Sequence, residues 1–191
     1  MNKAVFIDRD GVINPLVYNI KTNEYESPHK VQDFSIYPYV IKSLTLLKQK
    51  GFINIIISNQ PSYAKGKTTL ENMAAIENSL CVYSQENGNL IDEYYYCYHH
   101  PNGIVPEYSI KCRCRKPGTL FLEKAIEKYN LDIHSCYFVG DCDTDIQCGN
   151  IMGMYTIKIN NEHSKNKSGG QIPKAFADNL FEAAIKICDI I

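Results

Sequence analysis

Short apolar runs alternate with segments of helical periodicity along most of this chain. The runs are rich in β-branched residues, which is typical of strands buried within a sheet. In the segments between them, apolar residues recur three or four positions apart, as they do on the inward face of a helix. The pattern predicts strands at residues 3–7, 53–57, 91–98, 136–139 and 155–159, and helices at residues 38–50, 68–85, 117–129, 143–152 and 177–190.

Capping signals mark several of the predicted helix ends. Gly51 follows the first helix as a C-cap would, and Thr68 with Glu71 forms a capping-box pattern ahead of the second. Pro117 can occupy the first turn of the third helix. Residues 160–171, which are rich in Asn, Lys, Ser and Gly, predict a flexible loop.

Strands that alternate with helices predict a mostly parallel sheet covered on both faces. In such sheets, ligands bind at the carboxyl ends of the strands. Polar residues follow three of the predicted strands at this end. They are Asp8 and Asp10 after the first strand, Ser58 and Asn59 after the second, and Asp141 after the strand at residues 136–139. We therefore expect these side chains to share one crevice.

Length and charge narrow the class of protein. A chain of 191 residues predicts one well-cored domain, residues 1–191. A formal net charge of −1 gives no electrostatic footprint for nucleic acid or membrane, so the expected partner is a small molecule. The sequence shows no signal-peptide pattern and no apolar stretch long enough to span a bilayer. We expect a cytoplasmic protein, with a monomer as the default.

The carboxylates at the predicted crevice indicate a phosphoryl-transfer site. Asp8 and Asp10 can both lean into one cleft, Gly11 permits a sharp turn, and Asp141 and Asp145 add a second pair. Crowded carboxylates repel one another, and a hard cation such as Mg²⁺ relieves the repulsion and neutralises a bound phosphate. One carboxylate can then attack phosphorus while another protonates the leaving alcohol and later activates water.

The ordered motifs resemble those of the haloacid dehalogenase superfamily. The four matching motifs are Asp8-x-Asp10-Gly11-Val12, Ser58-Asn59-Gln60, Arg115-Lys116-Pro117 and Gly140-Asp141-x-x-x-Asp145. The resemblance implies an α/β fold with a Rossmann-like, doubly wound parallel sheet. It also implies a Mg²⁺-dependent phosphatase that forms an aspartyl-phosphate intermediate.

The same resemblance implies individual roles. Asp8 is the nucleophile and a Mg²⁺ ligand, and Asp10 is the acid/base that also gives its backbone carbonyl to the metal. Asp141 completes the protein ligands. Ser58 and Asn59 are expected to bond the phosphoryl oxygens, and Lys116 to neutralise the transferring group. Asp145 either orders Lys116 or a metal-bound water from the outer shell, or it caps a helix.

Four further residues predict a structural metal. Cys97 with His99, and Cys112 with Cys114, form two ligand pairs that can close a tetrahedral Cys₃His site for Zn²⁺, with His100 as the alternative histidine. Four protein ligands leave no open position, so the metal would be structural. This zinc loop, at about residues 97–114, leads directly into Lys116.

The zinc loop resembles a narrower branch, the D-glycero-D-manno-heptose 1,7-bisphosphate and histidinol-phosphate phosphatases. The long segment at residues 101–111 is similar to the heptose members. A large cap domain is not expected, so the loops at residues 15–30 and 60–66 and the zinc loop must shape the pocket. Candidate substrate contacts are Asn59, Gln60, Arg115, Glu26 and Ser27.

Three departures from this branch bear on the substrate. The loop at residues 15–30 is expanded, the second motif continues with Pro61 and Ser62, and Cys142 occupies a position where the family commonly has Lys. Lys65 is either a compensating cation or a solvated surface charge. The leading hypothesis is a heptose-phosphate phosphatase of carbohydrate metabolism, serving lipopolysaccharide or surface-polysaccharide synthesis. Histidinol-phosphate phosphatase is the enzymatic alternative, and a zinc-stabilised binding protein without turnover is the alternative of another class.

Overall fold

The computed structural model describes residues 1–167 and 170–190, and its centre is a six-stranded parallel sheet. The strands follow the order β5-β4-β1-β6-β7-β8, and two short strands, β2 and β3, form a separate antiparallel hairpin. The bounds are β1 Lys3–Ile7, β2 Val17–Asn19, β3 Glu24–Glu26, α1 Val40–Gln49, β4 Phe52–Asn59, α2 Leu70–Glu86, β5 Glu93–Cys97, α3 Leu120–Tyr129, β6 Tyr137–Gly140, α4 Asp143–Ile151, β7 Tyr155–Ile159, β8 Ala175–Ala177 and α5 Leu180–Ile190.

Helices cover both faces of this sheet. Val5 and Ile7 of β1 enter a core shared with α1 and α5, whereas Ala4 and Phe6 enter the opposite core, shared with α3 and α4. Alternate residues of one strand can fill both cores because successive side chains point to opposite faces. The predicted α/β class and doubly wound parallel sheet are confirmed. We propose that residues 1–191 form a single domain around this sheet.

Three predicted helix boundaries are wrong. Thr69, not Thr68, caps α2: its hydroxyl accepts a hydrogen bond from Asn72 N, while Thr68 Oγ1 donates to the His29 carbonyl. Helix α3 begins three residues after Pro117. Residues 175–177 form the edge strand β8, and the closing helix starts only at Leu180. Three residues are too few for a periodic signal, so the sequence pattern did not reveal β8.

Two segments predicted only as loops have structure that shapes the site. The β2–β3 hairpin lies within residues 15–30 and pairs Tyr18 with Tyr25. A 3₁₀ helix, Glu162–Lys167, lies within the predicted loop at residues 160–171, of which residues 168 and 169 fall outside the described residues. Between the motifs, the described part of the chain contains no large cap domain. Across the same residues, no helix is long and apolar enough to cross a membrane.

Candidate active site

The carboxyl ends of β1, β4 and β6 bring the predicted motifs together. Asp8 directly follows β1, and its backbone N–H bonds the carbonyl of Val139 in β6 at 2.9 Å. A pocket of about 350 Å³ opens at this edge of the sheet. Nine of the predicted site residues line it: Asp8, Asp10, Glu26, Ser27, Ser58, Asn59, Arg115, Lys116 and Asp145.

Lys116 connects two carboxylates at the base of the pocket. Its Nζ lies 2.8 Å from Asp8 Oδ1 and 2.6 Å from Asp145 Oδ1, and it donates to the Ile57 carbonyl at 2.8 Å. Burial by itself would lower the pKa of Lys116, but the charges of Asp145 and Asp8 outweigh it and raise that pKa. The ammonium group therefore stays charged beside Asp8.

Asn59 holds the backbone of Lys116. Its side-chain Oδ1 accepts from Lys116 N at 2.9 Å, and its Nδ2 donates to Lys116 O at 3.1 Å. Both ends of the amide are thus engaged, although Asn59 also lines the pocket. The arrangement ties the segment after the zinc loop to the end of β4.

Three neighbouring side chains donate hydrogen bonds to the Asp10 carboxylate. Its Oδ1 accepts from Asn14 at 3.0 Å and from the Arg9 guanidinium, and its Oδ2 accepts from Gln60 Nε2 at 2.5 Å. Gln60, predicted as a substrate contact, is 3% exposed and also donates to Ser58 Oγ at 2.9 Å. Neither Arg9 nor Asn14 was predicted, since a single charged or amide residue within a motif carries no signal of its own.

Asp141 contacts Gly11 and does not itself line the pocket. Gly11 has φ +87°, and a Cβ there would lie 2.0 Å from Asp141 Oδ2, so only glycine allows this approach. Ser164 Oγ and Asn161 Nδ2 donate to the same oxygen. Neither residue was predicted, because each is one polar residue within a polar segment.

The acidic groups fit a hard divalent cation. Ligand atoms of Asp141, Cys142 and Asp145 lie within 4.8 Å of one another. Burial raises the pKa of Asp145, and the charges of Asp8 and Asp141 add to this rise while Lys116 opposes it. Several buried carboxylates around Lys116 make the surroundings that Mg²⁺ stabilises.

The four predicted zinc ligands converge on one point. The Sγ atoms of Cys97, Cys112 and Cys114 lie 3.3 to 3.6 Å apart, and His99 Nδ1 lies 3.4 and 3.8 Å from two of them. A tetrahedron with Zn–S bonds of about 2.3 Å has edges of about 3.8 Å, so the cluster fits zinc closely. His100, the alternative ligand, instead accepts a hydrogen bond from Asn102 N.

Three cations line one wall of the pocket. Lys65, Lys67 and Arg115 all face it, and Arg115 also donates to the His99 carbonyl at 3.3 Å. Burial lowers the pKa of Lys65, and the charges of Lys67 and Arg115 lower it further. Lys65 thus lines the pocket while its side chain is also exposed to solvent, and its role as a compensating cation stays a prediction.

The β2–β3 hairpin closes the side of the pocket that faces the loop after β4. Glu26 forms an ion pair with Lys67 and lies 3.4 Å from His29 Nε2. Next to it, the hydroxyls of Ser27 and Ser62 share a hydrogen bond of 3.1 Å. The expanded loop is thus part of the pocket wall.

Comparison with known proteins connects this site to a family. A family model described as HAD-hydrolase-like matches residues 113–183. The D-glycero-alpha-D-manno-heptose-1,7-bisphosphate 7-phosphatase of Photorhabdus laumondii is 36% identical over 152 residues, which cover 80% of this chain and 79% of that protein. The D-glycero-beta-D-manno-heptose-1,7-bisphosphate 7-phosphatase of Escherichia coli K12 is 32% identical over 144 residues, covering 75% and 71%.

Solved structures show the same fold. The D,D-heptose 1,7-bisphosphate phosphatase of B. bronchiseptica, complexed with magnesium and phosphate, superposes with a TM-score of 0.79 at 19% identity, covering 100% of both chains. The corresponding enzyme from Burkholderia thailandensis gives a TM-score of 0.66 at 19% identity, covering 98% of this chain and 99% of that one. The chain therefore belongs to the heptose-1,7-bisphosphate phosphatase family of the haloacid dehalogenase-like hydrolases, a family of phosphoric monoester hydrolases.

Proposed function

We propose that this chain removes the 7-phosphate of a D-glycero-D-manno-heptose 1,7-bisphosphate, with Asp8 as the nucleophile. The observation that carries the proposal is the placement of Lys116 Nζ, 2.8 Å from Asp8 and 2.6 Å from Asp145, at the base of the pocket. A buried cation beside a carboxylate at the carboxyl edge of a parallel sheet can neutralise a phosphoryl group that the carboxylate attacks.

The reaction then proceeds in two displacements. In the first, a carboxylate oxygen of Asp8 bonds to phosphorus, the ester P–O bond breaks, and Asp10 gives a proton to the departing alkoxide. In the second, Asp10 takes a proton from water as the water oxygen attacks phosphorus. The acyl-phosphate bond breaks, which releases inorganic phosphate and restores Asp8.

Mg²⁺ is the cofactor that the acidic groups favour. Asp8, the backbone carbonyl of Asp10 and Asp141 would hold it, with Asp145 in the outer shell. When bound, it would offset the charge of the phosphate and of the crowded carboxylates. Ser58 accepts from Gln60 at 2.9 Å, so its own hydroxyl proton can be donated to a phosphoryl oxygen.

The Cys₃His cluster has a structural role in this proposal. Cys97, His99, Cys112 and Cys114 would bind Zn²⁺, because their separations match a tetrahedral site. The loop so fixed ends two residues before Lys116. Asn59 holds the Lys116 backbone from the other side, so we assign Asn59 to orienting Lys116 as well as to lining the pocket.

The substrate proposal rests on the named relatives and on the charged wall of the pocket. A bisphosphate has a second anionic group, and Lys65 and Arg115 face the pocket with no carboxylate bonded to either within the described residues. Lys67, in contrast, is paired with Glu26. Glu26 and Ser27 offer polar contacts for sugar hydroxyls. We further propose a cytoplasmic monomer that acts on this small molecule in surface-polysaccharide metabolism.

Purified protein tests the proposal with a panel of substrates in Mg²⁺. The panel contains both anomers of the heptose bisphosphate, since the two relatives differ in anomer, together with histidinol phosphate. We expect the bisphosphate to give the highest kcat/KM and Asp8→Asn to reduce phosphate release by more than ~10³-fold. Glu86→Gln, at an exposed position at the end of α2 that does not line this pocket, serves as the control. Undiminished phosphate release by Asp8→Asn would exclude Asp8 as the nucleophile. A higher kcat/KM for histidinol phosphate would exclude the heptose bisphosphate as the preferred substrate.

A further inference from the structure

Arg9 lies between the two motif aspartates and is buried to 2% exposure. Its guanidinium turns toward Asp10: Nε lies 3.2 Å from Oδ1, and one terminal nitrogen lies 3.0 Å from Oδ1 and 3.2 Å from Oδ2. Planar, forked contact of this kind fixes the orientation of a carboxylate as well as its position.

The surroundings of Arg9 are built for the guanidinium. The same terminal nitrogen donates to Gln60 Oε1 at 2.8 Å, and the rings of Phe34 and Tyr96 lie 5.9 and 5.8 Å from the guanidinium carbon. Removing a cation from water has an unfavourable desolvation cost, and an apolar side chain could fill the same core space without that cost. The cost indicates that the charge has a task beyond packing.

Gln60 completes a clamp on Asp10. It accepts from Arg9 and donates through Nε2 to Asp10 Oδ2 at 2.5 Å, so Arg9 and Gln60 contact both carboxylate oxygens. Asn14 adds a third donor, at 3.0 Å from Oδ1. With donors on both oxygens, rotation of the carboxylate about χ2 would break at least two hydrogen bonds.

We propose that Arg9 and Gln60 are positioning residues that orient the Asp10 carboxylate for proton transfer to the leaving group. The inference rests on the proposed role of Asp10 as acid/base. It predicts a dependence on the leaving group that packing alone would not produce. An alkoxide must be protonated as it departs, whereas p-nitrophenolate departs as a stable anion.

The test compares kcat/KM for the heptose bisphosphate, an alkyl phosphate, with kcat/KM for p-nitrophenyl phosphate. We expect Arg9→Met and Gln60→Ala to reduce the alkyl value at least ~10-fold more than the aryl value, within the range that general acid catalysis contributes. Arg9→Lys keeps the charge but lacks the fork, so it should recover part of the loss. In an Asp10→Asn background, Arg9→Met should cause little further loss, because both changes remove the same function.

Asn54→Ala is the matched control for a lost buried hydrogen bond, since Asn54 bonds the carbonyls of Leu44 and Leu90 away from the site. It should lower the melting temperature and leave the alkyl-to-aryl ratio unchanged. Equal losses on both substrates in the Arg9 and Gln60 variants, or full additivity with Asp10→Asn, would overturn the inference. If Arg9→Met does not fold, the alkyl-to-aryl ratio of kcat/KM in Gln60→Ala by itself tests the inference. Because Asp8→Asn is assayed in parallel, failure of this inference is distinguishable from failure of the proposed function.

Discussion

Tyr25 stacks on His163 with ring centroids 3.5 Å apart and ring planes 11° from parallel. Tyr25 belongs to the β2–β3 hairpin, and His163 lies between Asn161 and Ser164, which bond Asp141. On the other side, the hairpin contacts Lys67 through Glu26. The hairpin therefore joins the segment that bonds Asp141 to the loop after β4.

We expect Tyr25→Ala to raise KM for the heptose bisphosphate by roughly 3- to 10-fold, because an aromatic pair contributes about 0.5–1.5 kcal/mol beyond its area. The value of kcat for p-nitrophenyl phosphate should change little. Steady-state kinetics on both substrates measure the effect. Ile20→Ala, at an 85% exposed position of the same hairpin, is the control. Equal KM values for Tyr25→Ala and the parent protein would contradict a role for the stack.

Ser164→Ala should weaken Mg²⁺ binding. Ser164 donates to Asp141 Oδ2, and loss of a partner that orients a metal ligand typically costs ~10- to 100-fold in metal affinity. The rise of melting temperature with Mg²⁺ concentration reports binding without relying on turnover. Ser135→Ala removes a serine hydrogen bond to Asp132 instead, and it should leave the Mg²⁺ titration unchanged. If Ser164→Ala and the parent protein show the same dependence of melting temperature on Mg²⁺ concentration, Ser164 does not support the metal site.

Cys112→Ser should abolish zinc binding. The cluster would lose one of its four ligands. Because bound structural zinc contributes to folding stability, the free energy of unfolding should fall by about 3–5 kcal/mol. Elemental analysis gives the zinc content, and urea unfolding gives the stability. Phosphatase activity should fall as well, since Lys116 follows the loop. Cys81→Ser, outside the cluster, should keep both zinc and activity. A full complement of zinc in Cys112→Ser would show that Cys112 is not a ligand.

Glu26 should make stability depend on pH in acid. Burial alone would raise its pKa, but hydrogen bonds from Lys67, Asn19 and Thr22 lower the pKa from 4.5 to about 2. Because the folded-state pKa is the lower one, Glu26 stabilises the fold above about pH 4.5, and this contribution is lost as the pH falls toward 2.

The stability difference between the parent protein and Glu26→Gln should therefore shrink across that interval. Melting temperatures of both proteins, measured from pH 7 downward, provide the comparison. Glu24→Gln, two residues away and exposed, is the control for a change of net charge. A difference that stays constant down to pH 2 would show that the Lys67 pairing does not stabilise the fold.

Much of the fold could be predicted because its signals are local. The strands at Lys3–Ile7 and Tyr155–Ile159 were predicted to the residue, and three other strands were located, since a buried run or a helical stripe depends on the nearest ten residues. The four side chains of the proposed zinc site lie near one another, which the spacing favoured because Cys97 with His99, and Cys112 with Cys114, are each two residues apart. The spacing did not distinguish His99 from His100, because the local backbone conformation decides which imidazole ring faces the cysteines.

The sequence by itself determined the α/β class, the strand ends at which Asp8, Ser58 and Asp141 lie, and the family. Tertiary structure alone decided how those side chains are held: Gln60 behind Asp10, Asn59 on the Lys116 backbone, and Ser164 on Asp141. The reason is that periodicity and spacing encode which element a residue joins. A hydrogen bond between residues 20 to 60 positions apart depends instead on how the packed elements orient each side chain.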